Sequence, residues 1–390
     1  MYIQRKSEQF LSELLVGFPV VVITGPRQAG KTTLARHMFP DRLYVSLEDP
    51  DMLAFATDDP RRFLSQGLPH QGLVIDEAQN CPHLFSYLQS HVDSTGQSGQ
   101  FILTGSQQFN MLEKITQSLA GRVGLLRLLP FSMSELKSHT LLAPELDVLL
   151  LQGGYPPVYA REVRASVWYA NYVQTYLERD VRQMVQVNDL GLFQKFLKLC
   201  AGRCGQLLNI TALGNECGIS QTTARSWISI LEASDIIFLL KPHYANFNKR
   251  LVKTPKLYFY DTGLCAWLLE IKTPEHMKHH FMRGALFEAL IVSEFIKQRY
   301  QQGEISQLYF WRDKTGHEVD LILDEAGVLR PIEIKSSETI ASDFYKNLHF
   351  FNQLSGGKPQ DALLVYGGSQ IQYRHEIKSV GWRDLAEGFF

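Results

Sequence analysis

The chain lacks paired cysteines. Its five, Cys81, Cys200, Cys204, Cys217 and Cys265, form no C-x-x-C pair, and Cys200, Cys204 and Cys217 lack both the spacing and the further ligand of a structural zinc site. Reduced, buried thiols in a reducing compartment are therefore expected. Long apolar runs are also lacking: nothing approaches the roughly 20 residues that a membrane-spanning helix needs. The opening MYIQRKSEQFLSELL has no signal-peptide pattern, so a cytoplasmic location without a membrane partner is expected. An excess of charge of one sign is missing too. With 39 Lys+Arg against 40 Asp+Glu the net charge is −1, and any nucleic-acid contact must come from local basic patches. There is no internal repeat and no low-complexity tract. A hydrophobic content of 45% with 20% charged residues describes a globular chain, and 390 residues exceed one typical domain, so about two to four are expected.

What is present begins at Pro19, with PVVVITGPRQAGKTTLARHMF. The β-branched run Val20 to Ile23 meets a loop with Gly25 and Gly30, then Lys31, Thr32 and a helical pattern. This is G-x-x-x-x-G-K-[ST] in its required context, a strand before and a helix after. The glycines let backbone N–H groups curl around phosphates, and the helix N-terminus adds a favourable dipole. Lys31 is placed for the terminal phosphates of ATP, and the Thr32 hydroxyl for Mg²⁺. The candidate nucleotide-binding set is Gly25, Pro26, Arg27, Gln28, Ala29, Gly30, Lys31, Thr32 and Thr33, together with Asp76.

Further apolar runs follow. LYVSL (Leu43 to Leu47) reads as a second strand and GLVIDEAQ (Gly72 to Gln79) as a third. Asp76, at the end of that strand, is the expected carboxylate for the Mg²⁺ shell, and Glu77 the expected orienter of the attacking water. The fourth strand, FILTGSQQF, ends in Thr104, Gly105 and Ser106, where a polar group can sense the γ-phosphate. The fifth element, AGRVGLLRLLPFS, carries Arg122. It is a candidate for stabilising developing charge in cis or in trans, and equally a salt-bridged surface arginine.

As a set, GPRQAGKTTL, SLED (Ser46 to Asp49), LVIDEAQ, LTGSQQF, SLAGR and PFSMSEL resemble the AAA-type ATPases of prokaryotes that carry a domain of unknown function behind the ATPase. The resemblance continues through GGYPPVY (Gly153 to Tyr159), YLERDV (Tyr176 to Val181), YFYDTGL (Tyr258 to Leu264), RGALFEALIVSEF and IEIKSS, and so covers nearly the whole chain. It implies an AAA+ fold, binding of ATP and Mg²⁺, and a C-terminal region similar to PD-(D/E)XK nucleases. The fold class expected is α/β: a P-loop AAA+ parallel sheet, a helical linker with a winged helix-turn-helix, then an α/β restriction-endonuclease-like domain. The expected boundaries are 1–135, 136–203, 204–262 and 263–390.

In the middle, WYANYVQTYLERDVRQM has aromatic residues and leucine at helical spacing, which reads as core, with Arg179 and Asp180 as an ion pair or a linker contact. NITALGNECGISQTTARSWISILEASDIIFLLKP then gives a short helix broken at Gly218, a helix capped by Ser220, and a β-leaning run. With KLYFY this is a helix, tight turn, helix, hairpin pattern. Gln221, Thr222 and Arg225 would be its exposed readers of DNA. The connection from Lys241 to Lys256 carries Lys241, Lys249, Arg250, Lys253 and Lys256 among Tyr244 and Phe247 with no acid, which suits a wing touching phosphates. A protein-contact role is the alternative.

Near the end, Glu-x-Lys occurs at Glu333/Lys335 in an extended run where alternation places both on one face, opposite Ile332 and Ile334. Asp320, between Val319 and Leu321, lies in the preceding run, with a turn at Asp324 to Gly327 between them. Upstream, Glu288 has Ile291, Val292 and Phe295 at helical spacing, so it lies on an apolar face and needs a partner. Glu294 reads as solvated, and His317 and Glu318 as flanking. The α-β-β-β-α-β order resembles the PD-(D/E)XK core. That resemblance implies Glu288, Asp320 and Glu333 around Mg²⁺ or Mn²⁺, with Lys335 positioning a nucleophile or phosphate. Such a domain can also bind DNA or a protein partner without cleaving.

Overall fold

The computed structural model describes residues 2–67, 71–105, 118–161, 163–177, 190–243 and 252–387. Arg179, Asp180, Ser106, Tyr244, Phe247, Lys249 and Arg250 lie outside these. The chain forms two compact units, one of Met1–Pro130 with Ala233–Asp235 and Arg299–Glu304, the other of Phe131–Glu232, Ile236–Gln298 and Ile305–Phe390.

The first unit holds five parallel strands, β1 (Val20–Thr24), β2 (Leu43–Ser46), β3 (Leu73–Asp76), β4 (Phe101–Thr104) and β5 (Val123–Arg127), in the order β2-β3-β4-β1-β5. The central strands β1, β3 and β4 are buried on both faces, as expected within a parallel sheet, while the edge strands β2 and β5 are partly exposed. Successive side chains point to opposite sides: Val20, Val22, Leu73, Ile75, Phe101 and Leu103 enter one apolar cluster, while Val21, Ile23, Val74 and Ile102 enter the other. Because β4 runs between β1 and β3, the carboxyl ends of all three strands lie side by side, with Ile23 in register with Thr104 and Ile75 with Leu103. Helix Lys31–Met38 starts directly after Gly30, whose φ of +93° suits glycine.

The second unit has one nine-stranded sheet, of β6 (Gln206–Leu207), β7 (Ile237–Pro242), β8 (Lys256–Phe259), β9 (Leu308–Arg312), β10 (Glu318–Glu325), β11 (Val328–Lys335), β12 (Leu363–Tyr366), β13 (Gln372–Arg374) and β14 (Ile377–Gly381). Their order is β13-β14-β12-β11-β10-β9-β7-β8-β6. Helix Ile210–Cys217 ends at Gly218, whose left-handed backbone makes the turn, and Ser220 caps helix Gln221–Ala233 by accepting from the Thr223 N–H at 3.0 Å. Trp227 of that helix packs edge-on against Phe193 and Phe196. Helix Lys346–Ser355 covers β9, β10 and β12 through Leu348 and Phe351, which meet Trp311, Ile322 and Leu364. Apart from Ala233–Asp235 and Arg299–Glu304, the segments expected at 136–203, 204–262 and 263–390 fall in this unit, and β7 pairs in parallel with β9 across the last of those boundaries.

Candidate functional site

The carboxyl ends of β1, β3 and β4 bring together most of the residues expected around a nucleotide. Asp76 accepts the Thr32 hydroxyl at 2.9 Å through Oδ2 and the Thr104 hydroxyl through Oδ1. A third hydroxyl, that of Tyr44, donates to Oδ2 at 2.7 Å. Tyr44 carries no motif signal. It is found only through the β2–β3 register, which pairs it with Val74 two places before Asp76. Burial, and then the Asp76 carboxylate, push the Tyr44 phenol well above its ordinary range, so it stays a donor.

The phosphate loop is held by the sheet and by the N-terminal segment. Gly25 has φ +141°, and a Cβ there would lie 2.0 Å from the Leu128 carbonyl oxygen. Buried Arg5 donates to the carbonyls of Ala29 at 2.8 Å and Leu129 at 2.6 Å. The Lys31 ammonium donates at 2.9 Å to the carbonyls of both Gly25 and Pro26. Burial lowers its pKa to about 8, against the raising effect of Glu77, Asp235 and Asp76, while Arg27 lowers it further. Glu77 follows Asp76 in a left-handed conformation, φ +51°, and accepts from the Gln79 amide. Hard oxygen donors on Thr32 and Asp76, already within hydrogen-bond reach of each other, fit a Mg²⁺ ion.

Arg122 is not brought to this place. It precedes β5, at the end of the sheet opposite the phosphate loop, and binds Asp93 through Nε at 2.5 Å and Nη2 at 3.0 Å on the surface. Arg127, at the other end of the same strand, is in register with Thr24, the residue before the loop.

In the second unit Asp320, Glu333 and Lys335 are brought together: Lys335 lies 2.6 Å from Glu333 and 3.5 Å from Asp320. One expectation is corrected: Lys256, expected on an exposed basic wing, is 2% exposed. It binds Glu288 at 2.9 Å and also Glu318, which was expected only to flank; Arg312 adds a second cation to Glu318 at 3.1 Å. The physical reason is that β8 turns Lys256 into the space beside Glu288, so ammonium groups stand among these acids. Asp320 also accepts the Ile334 N–H at 2.8 Å, and a register shift in β10 between Val319 and Ile322 falls at this residue.

The electrostatics follow. Burial raises Glu288, Lys256 opposes this, and Asp320 adds to it; the Tyr258 hydroxyl donates to the same carboxylate. Glu333 is raised to about 8 by burial and by Asp320, against Lys335. Burial lowers Lys256 and Lys335, but the surrounding carboxylates outweigh it and hold both above the usual lysine range.

Elsewhere, Gln221, Thr222 and Arg225 are exposed, as are Lys241 and Lys253. Glu294 is corrected as well: it is buried, accepting the Met133 N–H at 2.8 Å and the Gln298 amide at 3.0 Å. All five cysteines are buried, and none is in a disulfide. Among the described residues no helix is long and apolar enough to cross a membrane.

Residues 17–137 match the model of an AAA domain, 143–275 a domain of unknown function (DUF8612) and 283–384 another (DUF4143). The uncharacterized protein Rv2008c of Mycobacterium tuberculosis is 32% identical over 342 residues, spanning 86% of this chain and 74% of that protein. The uncharacterized protein Mb2031c of Mycobacterium bovis matches to the same extent. Among solved structures, the Walker-type ATPase PABY2304 of Pyrococcus abyssi aligns with TM-score 0.47 and 18% identity over 68% of this chain and 96% of that one. DnaA of Aquifex aeolicus, bound to AMPPCP, aligns with TM-score 0.31 and 15% identity over 58% and 85%. A phosphate loop seated beside Asp76, in a segment that matches the AAA domain model, makes the first unit an AAA-type P-loop ATPase domain, and the chain belongs to the same family as the two mycobacterial proteins.

Proposed function

We propose that this protein hydrolyses ATP with Mg²⁺ and couples its nucleotide state to nucleic-acid binding by the second unit. The observation that carries the ATP reading is the convergence of Thr32, Thr104 and Tyr44 on Asp76 beside the Lys31 ammonium. Thr32 and Asp76 would hold Mg²⁺, which supplies charge neutralisation between the phosphates. Lys31 exchanges two backbone carbonyls for phosphate oxygens, which are stronger acceptors. Backbone N–H groups from Arg27 to Thr33 surround the phosphates, Glu77 orients water, and Thr104 senses the γ-phosphate. Arg122, bound to Asp93, takes part only if a second copy supplies it in trans.

Nucleic-acid binding is supported by the order helix, turn, helix, then β7 and β8 with β6 at their edge, an arrangement of the winged-helix kind. The exposed Gln221, Thr222 and Arg225 begin its second helix. The strand and helix order around Asp320 supports a PD-(D/E)XK-like fold. A second reading is favoured by Lys256: with ammonium groups on the buried acids, that domain is a non-cleaving module, and ATP switches its hold on a protein partner.

The test is ATP turnover with and without duplex DNA, alongside plasmid and single-strand cleavage in Mg²⁺ or Mn²⁺. Wild type, Lys31→Ala and Asp320→Ala/Lys335→Ala are compared. Lys31→Ala is expected to abolish ATP binding; retained affinity refutes the ATP site. DNA-stimulated turnover without cleavage supports the first reading. Turnover indifferent to DNA, with no DNA retained, moves the assignment to the protein switch. Cleavage by wild type and not by the double variant would overturn the non-cleaving reading.

A further inference from the structure

One buried carboxylate of the first unit has no part in the ATP chemistry above. The Asp235 side chain is 0% exposed, and its backbone is left-handed with φ +55°, a conformation in which side chains are seldom held without a reason. The chain brings only Ala233–Asp235 into the first unit here, while Glu232 and Ile236 on either side belong to the second. Asp235 accepts from Arg127 Nε at 2.8 Å and from Nη2 as well. Arg127 is fixed in its turn by Tyr300, whose hydroxyl accepts from Nη1 at 2.8 Å and whose ring centroid lies 5.0 Å from the guanidinium carbon. Arg127 ends β5 in register with Thr24, the residue before Gly25, so the pair stands at the root of the phosphate loop. Asp235 and Lys31 also act on each other electrostatically.

A guanidinium of the kind that binds phosphate is therefore committed to a buried carboxylate, whose charge also acts on the Lys31 ammonium. A polyphosphate entering the loop meets that negative charge in a poorly solvated place, where charge interactions are strong. We propose that Asp235 is a positioning residue of the ATP reaction: it holds Arg127 beside the phosphate loop and competes with the polyphosphate for Arg127 and Lys31, so that its seating sets nucleotide affinity. The effect is larger for a nucleoside triphosphate than for a diphosphate, which carries less charge. This inference rests on the ATP reading of the same loop.

The experiment is equilibrium titration of the full chain with fluorescent ATP and ADP analogues, for wild type, Asp235→Asn and Lys31→Ala. Asp235→Asn keeps the shape and a carbonyl acceptor for Arg127 but removes the charge. It is expected to bind the ATP analogue about tenfold more tightly and the ADP analogue by less. A folded Asp235→Asn with wild-type ATP affinity overturns the inference, and so does an equal gain for both nucleotides. Should that variant not fold, Asp235→Ser removes the same charge and decides in the same way. If Lys31→Ala abolishes binding while neutral residue 235 changes nothing, only this inference fails. If wild type and Lys31→Ala bind alike, the ATP reading fails with it.

Discussion

At the scale of single residues, the acids of the second unit behave unlike carboxylates on the surface. Glu333 is 3% exposed, with Oε1 on Lys335 and an Oε2 that finds no hydrogen-bond partner among the described residues. Its pKa is raised from 4.5 to about 8 in the folded chain, first by burial and then by Asp320. A raised carboxyl pKa contributes stability that is complete below the unfolded value and is lost as pH rises through the folded value. The window is therefore pH 4.5 to 8 for this group. Glu333→Gln, which keeps a neutral side chain of the same size, is expected to be progressively more stable than wild type across that window, by about 1–3 kcal/mol at its upper end. Urea unfolding at pH 5 and pH 8 checks this; a stability difference independent of pH contradicts it. Lys256 shows why residue-level roles were only partly legible. Its identity and basic neighbours point to an exposed wing, and only the pairing of β7 with β8 turns it inward to Glu288. The Glu288 partner demanded by its apolar helix face was legible as a need, but not as a lysine 32 positions upstream.

At the scale of elements, the phosphate loop is the part that sequence conveys most fully, because its conformation is written in residue types. Gly25 is required twice over, by its positive φ and by the Leu128 carbonyl. Gly25→Ala is expected to cost about 3 kcal/mol or more, since backbone would have to move, and to eliminate ATP binding. Thermal unfolding and nucleotide titration together check it; a variant with wild-type melting and affinity would contradict the strained-loop account. The first four strands of the first sheet were equally legible as apolar runs before turn residues. What escaped was lateral order. Tyr44 reaches Asp76, and Arg127 rather than Arg122 stands at the loop, because of which strands are neighbours and in what register. The shift in β10 near Asp320 escaped for a related reason: an extra residue against β9 leaves no mark in the alternation of VDLIL.

At the scale of the whole molecule, the second unit joins what two family models describe separately. The models end and begin at 275 and 283, yet β7 and β9, on either side of that gap, are paired, with Lys241 opposite Tyr309 and Pro242 opposite Phe310. A fragment starting at residue 276 would begin its sheet at β9 with one edge bare, and unpaired edges invite association. It is expected to aggregate when expressed alone and to become monodisperse when co-expressed with 131–275; size-exclusion chromatography distinguishes the two, and a soluble monomeric fragment would contradict the expectation. The same continuity bears on inheritance. A lineage that exchanged either segment for an unrelated one would need a replacement strand of matching length and direction in the same step, so the two are expected to travel through genomes as one piece.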